Sequence, residues 1–219
     1  MKLHGMIFDL DGTLADTLPV CFTAFREIFR EYLGQDYTDQ QARQLLGPSE
    51  IGIFEDLIPQ HSREALASYL RAYERAHRDC PEPFTGICEI LSSLRERDVK
   101  CAIVTGKGPE SAAISLKVLN LEGFFNLVEA GSPNGSNKPT AMKNTLDFWE
   151  LKSSQVAAIG DSRSDINAAK EVGITSLGAA WAPTSDLSLL TSLSPSAVFQ
   201  STAKFKDWIN EHTANNRNS

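Results

Sequence analysis

A parallel α/β sheet covered by helices on both faces and interrupted by an all-helical insertion is predicted by three features of the 219-residue sequence. Short apolar runs occur at 3–8, 101–105, 125–130, 156–160, 174–179 and 197–199. Helical stretches at about 109–121, 139–149, 163–172, 185–193 and 202–212 separate the later runs, and such alternation argues for parallel strands. Between 16 and about 80 no convincing strand occurs, and four-residue spacings such as Phe22, Arg26, Arg30 and Leu66, Leu70, Glu74 suggest helices. The expected division is a sheet-bearing part made of 1–15 and 81–219 and a helical part of 16–80.

The first run, LHGMIF, ends at acidic residues, as a buried strand feeding a polar loop would. Pro81, Pro83 and Gly86 in PEPFTG mark a return hinge from the insertion. Pro109 suits the first turn of the helix after CAIVT, and GSPNGSN before Lys138 is loop chemistry. Of the whole chain only the tail NNRNS reads as disordered.

Hydrophobic residues at 42%, charged residues at 22% and a mean hydropathy of -0.22 describe an ordinary globular chain. No apolar run is long enough to span a bilayer, and acidic residues arrive too early for a secretory signal, so a cytoplasmic location without membrane attachment is expected. The net charge of -7 and an isoelectric point near 5.1 argue against nucleic acid as a partner. Cys21, Cys80, Cys88 and Cys101 form no CxxC, and His4, His61, His77 and His212 form no HxxxH, so zinc and haem attachment are poor candidates.

The chemistry-bearing residues stand where predicted strands end. Asp9 and Asp11, in DLDGTLADT, leave the first strand on the same side, and acids held so close need a cation or a shared proton. Gly12 permits a tight turn, and Thr13 can tie its hydroxyl to nearby backbone. Thr105 and Gly106 follow the strand CAIV and precede a helix start, which favours an anion. Lys138 stands at another helix start, against the helix dipole, within reach of a phosphate or a carboxylate. Asp161 and Asp165, four apart in GDSRSD, can face one site or simply cap a helix. Each signal alone has an ordinary structural explanation; their order on successive strands of one sheet is far more specific.

These residues resemble the four motifs of the haloacid dehalogenase superfamily: Asp9, Asp11, Gly12 and Thr13, then Thr105, then Lys138 with Pro139, then Asp161 with Asp165. The resemblance covers essentially the whole chain, and a helical insertion just after the first motif is similar to the C1-cap subclass, above all its phosphoglycolate phosphatase group. It implies a Rossmann-like core with an all-helical cap, and a phosphatase acting on a small phosphorylated metabolite through an aspartyl-phosphate. By that resemblance Asp9 is the nucleophile and Asp11 the acid and base. Mg2+ is held by Asp9, the Asp11 carbonyl and Asp161, with Asp165 as a direct or indirect ligand. Thr105, Gly106 and Lys138 bind the phosphate. A monomer or weak homodimer is expected. The leaving alkoxide needs the proton of Asp11, which argues against carbon-halogen cleavage. A sugar phosphomutase, a pyrophosphatase and a catalytically silent interaction protein are the alternatives.

Glu50, in GPSE, stands where the mutases carry an arginine for a second phosphate, and Thr85 and the WAP of 181–183 depart from the group at the hinge and the cleft rim. If the turn Gly47–Pro48–Ser49–Glu50 dips into the cleft, Ser49 and Glu50 select the substrate. Glu50 then disfavours leaving groups with a carboxylate or second phosphate, unless Arg43 or Arg71 neutralises it. Otherwise Glu50 is a solvated residue starting a helix.

Overall fold

A computed structural model describes residues 2–213, so the tail NNRNS lies outside the described residues. Six strands form one sheet: β1 (Gly5–Phe8), β2 (Lys100–Val104), β3 (Leu127–Glu129), β4 (Val156–Gly160), β5 (Thr175–Ala179) and β6 (Ala197–Phe199). Their order is β3-β2-β1-β4-β5-β6, with every pairing parallel. In this order the chain turns back between β1 and β4, which opens a crevice at the carboxyl ends of those neighbouring strands.

β1 and β4 are buried on both faces, so their side chains alternate between two apolar cores. Met6 and Phe8 face one core with Ile103, Ile159 and Leu177, closed by α5 (Ile87–Glu96), the end of α6 (Pro109–Val118) and α10 (Thr202–Thr213). Ile7 faces the other with Ala102, Val104 and Ala158, closed by α7 (Lys138–Trp149) and α8 (Arg163–Val172). A short helix, α9 (Leu187–Ser192), links β5 to β6. α5 is absent from the expected elements, although Ile87, Ile90, Leu91 and Leu94 keep helical spacing and are all buried. The expected third strand, 125–130, shrinks to three residues at the sheet edge.

The insertion contains α1 (Leu18–Leu33), α2 (Asp39–Gln44), α3 (Glu50–Leu57) and α4 (Ser62–Ala76), closed by a 3-10 turn at His77–Asp79. α1 and α4 meet through Phe25 and Tyr69, whose ring centroids are 4.7 Å apart, and Phe29, Phe54 and Tyr73 extend the same cluster. The buried face of α4 is Ala65, Tyr69, Ala72 and Tyr73, with Leu66 and Leu70 of the expected helical spacing partly buried against the same cluster. Helix was legible in that spacing; which face turns inward depended on the aromatic residues. The outgoing and returning segments lie side by side, with the Phe84 N–H donating to the Leu14 carbonyl at 2.9 Å. Among the described residues no helix is long and apolar enough to cross a membrane.

Candidate active site

The crevice between the sheet and the insertion encloses about 350 Å³, lined on the sheet side by Asp9, Asp11, Gly106, Lys107, Lys138 and Asp161. Asp9 follows β1 directly, and its N–H donates to the Ile159 carbonyl of β4, which brings it beside the acids that follow β4. Ligand oxygens of Asp9, Asp161 and Asp165 lie within 4.8 Å of one another. Three carboxylates gathered so tightly repel unless a cation separates them.

Lys138, buried at the start of α7, partly supplies that cation. Its Nζ donates to Asp9 Oδ1 at 2.8 Å and to Asp165 Oδ1 at 2.5 Å. Burial opposes its charge, yet Asp165 and Asp9 outweigh that and hold its pKa above the ordinary lysine value. One lysine does not balance three acids. Burial, only partly offset by Lys138 and reinforced by Asp165 and Asp11, pushes the Asp9 pKa up to about 7. Asp161 is likewise pushed well above the carboxylate range by desolvation, then by Asp9 and Asp165. The donor set is oxygen only, which suits a hard divalent cation. Asp165 differs in kind, because its Oδ2 accepts from the Ser162 N–H at 3.1 Å and the Ser162 hydroxyl at 2.5 Å in the capping box of α8. Capping and facing the site, alternatives in the sequence, are combined in this residue.

Gly12 and Gly160 are needed for close approach. A Cβ on Gly12, whose φ is +73°, would lie 2.2 Å from Asp161 Oδ2, and one on Gly160 would lie 2.2 Å from Asp165 Cγ. The hydroxyl of Thr13, expected to tie to backbone, is instead buried without a hydrogen-bond partner among the described residues. Thr105 is buried and its Oγ1 accepts from the Lys107 N–H at 3.2 Å, while Gly106 lines the cleft.

Asp11 points away from this cluster, toward the insertion. Its Oδ1 accepts from the Thr17 hydroxyl and lies 3.4 Å from Lys107 Nζ. Lys107, which the sequence reading passed over, is a buried cation that also meets Cys21 Sγ of α1 at 2.8 Å and the Tyr73 ring of α4 at 4.2 Å. Its only signal in the sequence is its place between the two glycines that follow Thr105.

The turn before α3 does dip to the cleft, where Gly47, Pro48 and Glu50 contribute lining. Glu50, however, does not present a free charge there. Its Oε2 accepts from the Gly108 N–H and its Oε1 from the Ser111 hydroxyl, both at 2.6 Å, so it is spent on the first turn of α6. Nor is it a solvated helix residue, since it is 5% exposed. Ser49 is buried behind it, its N–H donating to the Ser132 carbonyl at 2.9 Å. Gly52 packs so closely on Pro133 that a Cβ would lie 2.2 Å from its carbonyl oxygen. Of the two cap arginines considered as neutralising partners, Arg43 lines the cleft, whereas Arg71 is exposed and donates to Ser68.

Comparison with known proteins decides the family. The family model described as haloacid dehalogenase-like hydrolase matches residues 6–179. The chain belongs to this family. Pyrophosphatase PpaX of Halalkalibacterium halodurans is 31% identical over 177 residues, covering 80% of this chain and 82% of the relative. A haloacid dehalogenase-like family protein from Streptococcus pneumoniae superposes with a TM-score of 0.76 at 25% identity, covering 94% of this chain and 98% of its own. A predicted phosphatase from Clostridium acetobutylicum shares the fold, with a TM-score of 0.79 at 19% identity over 96% of this chain and 100% of its own.

Proposed function

We propose that this hydrolase is a magnesium-dependent phosphatase that cleaves a small phosphomonoester through an aspartyl-phosphate on Asp9. The observation that carries the reading is the crowding of Asp9, Asp161 and Asp165 around one lysine, next to a second carboxylate, Asp11, that has different partners. Membership of a hydrolase family whose relatives include proteins named pyrophosphatase supports it.

In this reading Asp9 attacks phosphorus and forms the acyl phosphate as the ester P–O bond breaks, and Asp11 gives its proton to the departing oxygen. Asp11 then takes a proton from water as the water oxygen attacks phosphorus, which releases Asp9 and inorganic phosphate. Lys138, Thr105 and the Gly106 amide would bind the non-reacting phosphoryl oxygens. Asp9, Asp161 and the Asp11 carbonyl would hold magnesium, with Asp165 positioning Lys138 and the start of α8. When bound, the ion supplies the positive charge that lets an anionic nucleophile meet an anionic phosphate.

Pyrophosphate is the second reading, favoured by the relative's name. Asp9→Asn should fold normally and lose at least about a thousandfold in p-nitrophenyl phosphate turnover with magnesium. Near wild-type hydrolysis by that variant would remove Asp9 from the nucleophile's role.

A further inference from the structure

Two polar groups of the cleft, one from the sheet side and one from the insertion, have no role in the reading above. The first is Lys107 Nζ. It stands next to Asp11, the residue assigned to the departing oxygen, and is 5% exposed overall. Glu50, the other acid at this end of the cleft, is already occupied by Gly108 and Ser111. The second group is the Tyr69 hydroxyl. Tyr69 is fully buried and lines the cleft, yet its oxygen has no hydrogen-bond partner among the described residues. A buried hydroxyl left this way is costly to the fold and would be satisfied by an acceptor oxygen on a bound molecule. Leu18, Phe25 and Ile53 line the same cleft as apolar wall, which leaves little there for a polyhydroxylated chain to bond.

We propose that Lys107 and Tyr69 form a leaving-group subsite that accepts a compact anion, a carboxylate or a second phosphoryl group, attached next to the oxygen that Asp11 protonates. This assignment rests on the phosphatase reading and reverses the preference expected from Glu50. The cation would meet the anionic oxygen, and the tyrosine would donate to it. Asp11 would keep its place against Lys107, because an ammonium has three donors.

The test compares phosphoglycolate and pyrophosphate, whose leaving groups are anionic, with 2-hydroxyethyl phosphate, whose leaving group is neutral. Wild-type kcat/KM should favour at least one anionic substrate by about tenfold or more. Lys107→Gln should cut that preference at least about tenfold, and Tyr69→Phe about threefold or more. Tyr69→Phe removes an unpartnered oxygen and is expected to fold even if Lys107→Gln does not. Selectivity for phosphoglycolate alone would identify the carboxylate, and for pyrophosphate alone the second phosphoryl group. Absence of any wild-type preference, or equal losses on all three substrates, would overturn the subsite. Calorimetric titration of Asp9→Asn, with and without the second substitution, separates this from a failure of the phosphatase reading. If no substrate turns over, tighter binding of phosphoglycolate or pyrophosphate than of 2-hydroxyethyl phosphate, lost with Lys107→Gln, still supports the subsite. Equal or undetectable binding of the three contradicts it.

Discussion

The floor of the cleft is held together by charge and its roof by aromatic rings. On the floor, Lys138 bridges Asp9 and Asp165, and Ser162 completes the shell of Asp165. In the roof, Phe25 lies 4.7 Å from Tyr69 and 5.6 Å from Phe29, with Tyr69 stacked on Tyr73 at 5.7 Å. Burying charge is tolerated only with close partners, so Asp9, Lys138 and Asp165 hold one another in place before any ligand arrives. Ring packing is less exacting about single polar atoms, and it tolerates the unpartnered Tyr69 hydroxyl. In the proposed function the floor carries the chemical step on phosphorus, and in the proposed subsite the roof helps to choose what phosphorus is attached to.

Cutting each region once should expose the difference. Lys138→Met leaves buried carboxylates uncompensated and should lower unfolding free energy by about 3 kcal/mol, whereas Tyr69→Phe, which removes a buried hydroxyl without a partner, should lower it not at all and raise it by up to about 1 kcal/mol. Urea unfolding of the two variants measures both, and comparable losses would mean that the roof is as tightly specified as the floor.

A smaller effect concerns pH and metal. The folded pKa of Asp9 is about 7, above its unfolded value, so the folded state binds the extra proton more tightly. In metal-free protein the Asp9 contribution to stability is therefore full below the ordinary carboxylate range and is lost as pH rises toward about 7. Asp161 acts in the same direction. Magnesium, which binds the ionised form, should raise the melting temperature more at pH 8 than at pH 5. An equal rise at both, by calorimetry with and without chelator, would separate the metal from these carboxylates.

The smallest effect joins the two regions. Glu50→Gln weakens the contact of the insertion with α6, and exchange of the Gly108 amide should speed by roughly tenfold. The ratio of kcat/KM for phosphoglycolate and 2-hydroxyethyl phosphate should stay unchanged. A selective gain for phosphoglycolate would restore Glu50 as a residue facing the leaving group.

The same contrast explains what was legible beforehand. Asp9, Thr105, Lys138 and Asp161 could be located because each follows or opens an element with strong local signals: a short apolar run, a helix-starting proline, a glycine turn. The sheet brings such strand ends together whatever the details of the loops. Glu50 could not be oriented, because its partners are 58 and 61 positions away and belong to another layer. Lys107 was missed for a similar reason: its surroundings, Cys21 and Tyr73, come from α1 and α4. The omission of α5 is of another kind, since its apolar spacing was plain. Thr13 shows the opposite limit, a residue whose local preference for bonding nearby backbone is not realised in the folded turn.

The most direct test of the central claim is chemical capture of the enzyme during turnover. Borohydride added to the protein, magnesium and a phosphomonoester reduces an acyl phosphate to an alcohol, and peptide mass spectrometry then locates it. The account predicts homoserine at position 9, dependent on substrate and absent when phosphate ester is omitted. Undiminished turnover with no reduced residue at position 9, or with the label on another carboxylate, would contradict it.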